Sequence, residues 1–175
     1  MLDIGCGTGS LTLLIKRLHP EVEVTGLDPD PKALAIAKRK AERAGLAIQF
    51  ERGFSNPLPF RDACFERVFS SLMFHHLTQD EKSATLREVR RVLAPGGSLH
   101  LLDFGPPRSR FARVAAHVLH RAEHLHDNVA GRIPELLAQA GFRHAEEVDQ
   151  RGTFVGSLAF YRAVNPGRGP LGGAA

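Results

Sequence analysis

Short apolar stretches rich in β-branched and aromatic residues recur along the chain, and between them the apolar residues fall at three- and four-residue spacing. The strand candidates are "MLDI", "VEVTGLD", "LAIQFE", "FERVFSSL" and "SLHLLDF". From Pro31 to Ala44, Leu34, Ala37 and Ala41 lie on one helical face. Asp30 is the predicted N-cap, Pro31 the first helical residue and Gly45 the stop. Residues Gln79 to Leu93 repeat the pattern with Leu86, Val89 and Leu93 inward, and end at "APGG". Such alternation predicts an α/β fold: a mainly parallel sheet with helices on both faces and right-handed crossovers.

The pattern changes after Phe104. "GPPRSR" is a proline-stiffened connection, and Phe111, Ala115, Val118, Leu119, Ala122 and Leu125 then form the stripe of an amphipathic helix laid on the sheet edge or over a cleft. "IPELLAQAG" reads as a short helix, and "FRHAEEVD" and "TFVGSLAFYRA" as two strands turning at Arg151-Gly152, which makes the finish antiparallel. "NPGRGPLGGAA" has no core-forming pattern. It is read as a disordered tail over residues 164–175, after a domain of residues 1–163 in which 106–132 is a helical insertion on the acceptor side.

Length and composition narrow the class. A chain of 175 residues with 43% hydrophobic positions suits one domain with a sizeable core. The net charge of +4 comes from basic residues interleaved with acids, as in "KALAIAKRKAERAG" and "LREVRRVL", the pattern of solvated helix faces rather than of a nucleic-acid stripe. Cys6 and Cys64 form neither a disulfide framework nor a thiolate zinc motif. No apolar run reaches membrane-spanning length and no leader precedes the first glycine turn, so a cytoplasmic setting is expected.

The chemistry concentrates in "LDIGCGTGS". A strand that runs through Gly5, Gly7 and Gly9 into a helix presents main-chain N–H groups that a ligand can approach closely, because no Cβ intervenes. The spacing G-x-G-x-G does not complete the dinucleotide fingerprint. Asp28, about twenty residues beyond the turn at the end of the next strand, can accept both hydroxyls of a ribose. Asp3, just before the turn, would repel a phosphate and suit an ammonium or sulfonium group. Together these residues describe a nucleoside site for a cationic ligand.

"LDIGCGTG", the acid of "GLDPDP", "LPF" followed by "FERVFSSLMFHHL", and "RVLAPGGSLHLLDF" together resemble a class I S-adenosylmethionine-dependent methyltransferase, in the group that includes the quinone-biosynthesis C-methyltransferases. The resemblance covers residues 1 to 163. It implies a Rossmann-like, doubly wound, three-layer fold around a seven-stranded sheet whose last strand is antiparallel, with S-adenosylmethionine as cofactor and a small molecule as methyl acceptor. Carried over by position, Gly5, Cys6, Gly7 and Gly9 wrap the methionine part of the cofactor and Asp3 organises its amino group. Asp28 holds the ribose, Pro29 lies along the adenine, and Ser71 and Leu72 offer main-chain contacts near the sulfonium. Where the family usually has Gly-Asp-Ala, this chain has Gly53, Phe54 and Ser55. Phe54 cannot accept the adenine amino hydrogen bond. Stacking by Phe54, or a bond from Ser55 or Asn56, has to replace it.

Methyl transfer needs orientation above all, and a base only where the acceptor must lose a proton. His75 is the first candidate for acceptor positioning or proton removal, His76 the second, and Asp103 at the end of the fifth strand is a third group facing the acceptor. The competing roles are a helix cap or a solvated side chain for the histidines and a turn cap for Asp103. His117, His120, His124 and His126 are read as a solvated or acceptor-lining helix face, and no metal is expected. The chain opens on its first, central strand, without the N-terminal helices that close over the cofactor in the family. This is expected of a reading frame that starts further upstream, or of a minimal form whose lid comes from residues 106–132, a partner chain or a second copy. Two alternatives from other classes remain, a catalytically silent cofactor-binding module and a nicotinamide-dependent oxidoreductase of the same fold.

Overall fold

The structure, a computed structural model, describes residues 1–106, 131–153 and 156–167. Seven strands form one sheet: β1 (Leu2–Ile4), β2 (Thr25–Asp28), β3 (Gln49–Arg52), β4 (Phe65–Ser71), β5 (Leu93–Phe104), β6 (Arg143–Thr153) and β7 (Gly156–Val164). Their spatial order is β3-β2-β1-β4-β5-β7-β6. The pairings from β3 through β5 are parallel, and β7 runs antiparallel to both β5 and β6. The order reverses beside β1, and in an open α/β sheet ligands gather at the carboxyl ends of the strands flanking such a switch point.

Alternation along the strands sorts the core into two layers. On one face, Leu2 and Ile4 of β1, Val68 of β4 and Leu99 and Leu101 of β5 pack with Leu86 and Val89 of α3 (Gln79–Val92) and Leu136 and Leu137 of α4 (Ile133–Gln139). A second cluster joins Cys6 and Phe50 to Leu13 of α1 (Ser10–Leu18) and Leu34, Ala37 and Ala41 of α2 (Pro31–Arg43). Capping supports the helix starts read from sequence. The Asp30 carboxylate accepts the Lys32 N–H at 2.8 Å. At α3 it is Thr78, in a reciprocal capping box with Glu81, that fills the N-cap, so neither histidine of "FHHL" caps this helix.

Two boundaries differ from the sequence expectation. Arg151 and Gly152 do not turn: they pair with Leu158 and Ser157, and Thr153 pairs with Gly156. Gly152 takes no positive φ, so its backbone stays extended and the ladder continues through it. The folded chain also passes residue 163. Val164 belongs to β7, and the buried Asn165 donates from Nδ2 to the main-chain oxygens of Leu93 (2.7 Å), Arg90 (3.2 Å) and Ala94 (3.3 Å), closing the end of α3. The expected insertion and its four histidines fall almost wholly on residues 107–130, and most of the expected tail on 168–175, outside the described residues.

Candidate active site

The glycine turn is built by contacts with β2. Gly5 and Cys6 donate their main-chain N–H groups to the Leu27 carbonyl at 2.8 and 3.0 Å, which folds the turn over the end of the neighbouring strand. Gly5 has φ +70°, and a Cβ there would stand 2.4 Å from Cγ of Met73, so both backbone and packing demand glycine. Gly7 has φ +52° but no atom within 4 Å of where a Cβ would stand. The space on that side of Gly7 is unfilled.

The carboxylate of Asp28 completes this corner. It is 8% exposed and accepts the Gly7 N–H on Oδ2 at 2.8 Å and the Asp30 N–H on Oδ1 at 2.9 Å. Each oxygen keeps acceptor capacity, so two hydroxyls can still bind. Asp3 sits beneath the turn, 1% exposed, and accepts a hydrogen bond from Thr12 Oγ1 at 2.6 Å. Burial raises its pKa to about 6, with the Thr12 bonds opposing and the charge of Asp28 adding to the shift. Burial likewise pushes the Cys6 thiol up to about 12, which keeps it protonated and fits a small core residue.

A cavity of about 440 Å³ opens beside Asp28. Of the residues singled out in the sequence, Gly5, Asp28, Pro29, Phe54, Ser55, Leu72 and His76 line it. Phe54 is 71% exposed at its rim. Ser55 is paired through its hydroxyl with Thr85 of α3 at 2.7 Å, which ties the loop after β3 to that helix. Leu72 holds φ +54° and gives its N–H to the Leu102 carbonyl at 2.8 Å, so among its main-chain groups only the carbonyl is left to face a ligand. Asp3, Cys6, Gly7, Gly9, Ser71, His75 and Asp103 do not line the cavity; the first four lie in or under the turn, and Gly9 is the left-handed N-cap of α1.

Beyond β4 the chain forms a 3₁₀ turn, Phe74–His76, pinned by the buried Phe74 ring. Here the structure changes the role of Asp103. It is 0% exposed and cannot face an acceptor: its Oδ1 lies 2.8 Å from Nδ1 of His75, and its Oδ2 accepts the His75 main-chain N–H at 3.0 Å. The His76 ring lies 4.0 Å from that of His75, centroid to centroid. Desolvation holds the His76 imidazole below its ordinary pKa, with His75 lowering it further and Asp103 acting against the shift.

The methyltransferase-domain family profile matches residues 1–97. A demethylmenaquinone methyltransferase of Deinococcus radiodurans is 35% identical over 175 residues, spanning 95% of this chain and 71% of that protein. The chain belongs to the class I S-adenosylmethionine-dependent methyltransferases. The demethylmenaquinone methyltransferase of Thermus thermophilus is 45% identical over 107 residues, which are 61% of this chain and 48% of that protein. A methyltransferase structure from Methanosarcina mazei shares the fold, with a TM-score of 0.73 at 23% identity, covering 93% of this chain and 90% of that one. The chain thus spans about half the length of the Thermus relative.

Family membership, which the profile match and the Deinococcus relative carry, decides against the nicotinamide-dependent alternative and gives the cofactor as S-adenosylmethionine. The residues present fit it: a carboxylate with free acceptor capacity at the cavity wall, unfilled space beside Gly7 and an aromatic ring at the rim. Three parts of this candidate site are not read from the sequence. Thr12, under Asp3, is a hydroxyl on the buried face of α1, an anomaly that the helical pattern does carry. Thr85 and Met73 meet Ser55 and Gly5 only through tertiary packing. Among the described residues no cluster of His, Cys, Asp and Glu suits a metal, and no helix is long and apolar enough to cross a membrane.

Proposed function

We propose that this methyltransferase modifies a small, largely apolar aromatic acceptor of the reduced-quinone class, at the mouth of the cavity between β1 and β4. The observation that carries the cofactor half is the Gly7–Asp28 contact, which sets a free-sided carboxylate beside unfilled space. The acceptor class is supported by the two relatives named as demethylmenaquinone methyltransferases. When bound, S-adenosylmethionine supplies a methyl group already activated by the positive sulfur.

The chain's own residues then have limited tasks. Asp28 takes the two ribose hydroxyls, Pro29 and Phe54 border the adenine, and Phe54 stacks on it in place of the missing acid. Asp3, in its ionised form under the turn, attracts the ammonium group and completes the charge balance of the corner. The Leu72 carbonyl borders the reacting end, and His75, whose side chain keeps 14% of its surface exposed beside the cavity-lining His76, takes the acceptor's proton. Orientation within this pocket supplies several kcal/mol of barrier lowering without any covalent intermediate on the protein.

Calorimetric titration with S-adenosylmethionine and S-adenosylhomocysteine tests the cofactor half, and reduced demethylmenaquinone followed by mass spectrometry tests the acceptor. Micromolar binding that Asp28→Ala loses, and a methylated quinone product, are the expected results. Cofactor binding with no transfer to any reduced quinone would remove the acceptor class and leave the silent cofactor-binding module standing.

A further inference from the structure

We infer that Asp103 is a positioning residue for His75: it holds the imidazole with its proton on Nδ1 and leaves Nε2 as the nitrogen that takes a proton. Asp103 is buried at the end of β5, and two main-chain donors converge on it, Phe104 N–H on Oδ1 at 2.7 Å and His75 N–H on Oδ2 at 3.0 Å. A carboxylate satisfied in this way is acceptor-only, so the 2.8 Å contact to His75 Nδ1 has the ring as donor. In the neutral ring Nε2 then keeps its lone pair.

The ring is also fixed in place. Backbone and side chain of His75 bind the same carboxylate, the Phe104 ring stands edge-on to the imidazole at 4.9 Å and 75°, and His76 covers another side at 4.0 Å. The sheet register makes the meeting possible: Ser71 pairs with Leu102, so Asp103 is the first β5 residue beyond the pairing, where the 3₁₀ turn folds back across it. The arrangement is that of a base oriented by a buried acid.

The catalytic consequence rests on the methyl-transfer proposal. A proton passes from an O–H or an activated C–H of the acceptor to Nε2, the electron density so released forms the bond to the methyl carbon as the sulfur keeps the pair of the S–C bond, and the proton leaves Nε2 for water; where the bond forms on a quinol ring carbon, the hydrogen of that carbon then moves as a proton to the oxygen left bare and the ring regains its aromaticity. Acceptors that must shed a proton, such as quinols, phenols and carbon acids, suit this device. Thioethers do not.

The test is long-range ¹H–¹⁵N correlation of the histidine rings in the full labelled chain at pH 8, with the His75 signals assigned by their loss in His75→Gln. The expected result is a His75 ring unprotonated at Nε2, converting in Asp103→Asn to one unprotonated at Nδ1, because the amide then donates toward that nitrogen. With reduced demethylmenaquinone, Asp103→Asn should lower kcat by about a hundredfold or more while KM and cofactor affinity stay within about threefold. A wild-type His75 protonated at Nε2 overturns the inference, whether or not the variant folds. So does a reversed tautomer with unchanged kcat. Absence of cofactor binding by a wild-type chain that shows the expected tautomer would sink the methyl-transfer proposal and leave the Asp103–His75 assignment standing.

Discussion

The corner under β1 and β2 and the corner beyond β4 and β5 face the same mouth of the sheet, yet they are built differently. The first is made of main chain: a glycine turn donates to the Leu27 carbonyl and to one carboxylate, and its side chains are near neighbours in sequence or in register. The second is made of side chains that meet across 28 residues of sequence, with a buried acid steering a histidine it cannot replace. The lesson is that a backbone-built corner fails through conformation, whereas a side-chain-built corner fails through protonation and orientation.

The largest effect expected on the first corner comes from Gly5→Ala. A positive φ costs a non-glycine residue about 1–2 kcal/mol, and the added carbon collides with Met73, costing about 1–3 kcal/mol more. A thermal melt should therefore fall by several degrees. Gly7→Ala sharpens the comparison: it meets no neighbour, so it should pay only the conformational cost and keep the fold while losing cofactor affinity. Equal melting points for the two variants would break the distinction between a packed glycine and a ligand-facing one.

Asp3 comes next. The unfolded chain releases this proton near the ordinary value of 3.8 and the folded chain near 6, so between them the folded state holds the extra proton and stability falls as pH rises. Above pH 6 the full loss, on the order of 3 kcal/mol, is in place. Denaturant titrations from pH 4 to 7.5 should show this decline in the wild type and a flatter profile in Asp3→Asn. S-adenosylmethionine affinity should move the opposite way, rising through pH 6 as the carboxylate ionises.

Asp28→Asn should weaken cofactor binding by about 1.5–3 kcal/mol, roughly ten- to a hundredfold, because a hydrogen bond to a charged acceptor is lost at a buried wall. The smallest effect expected is at Phe54. Phe54→Ala should weaken binding by about 0.5–1.5 kcal/mol through lost stacking, while Phe54→Asp, restoring the acid usual in the family, should hold or improve it. A neutral Phe54→Ala in calorimetry would place the adenine away from this ring.

Most of the fold and the glycine turn with its carboxylate were legible in the sequence, because each rests on local signals. Leu34, Ala37 and Ala41 had to face inward at helical spacing, Asp30 and Gly45 bracket their helix, and Gly5, Gly7 and Asp28 declare the turn and its carboxylate. The hairpin turn was misplaced because a glycine in sequence is equally compatible with a turn and with an extended edge strand, and only the β6–β7 pairing separates them. Asn165 looked like part of a tail for a related reason: its work is to satisfy carbonyls at the end of a helix more than seventy residues away.

The order of residues by itself determined the α/β class, the central glycine turn, the carboxylate at the end of the second strand and the departure at Phe54, all properties of patterns a few residues to some twenty residues long. The tertiary structure alone decided that Asp103 is buried and reaches His75 rather than an acceptor, that Thr12 holds Asp3, and that Met73 makes Gly5 indispensable. The physical reason is that burial and hydrogen-bond direction belong to the environment of a group. For Asp3, Asp103 and His75 that environment is supplied by strands and helices that meet only when the sheet closes.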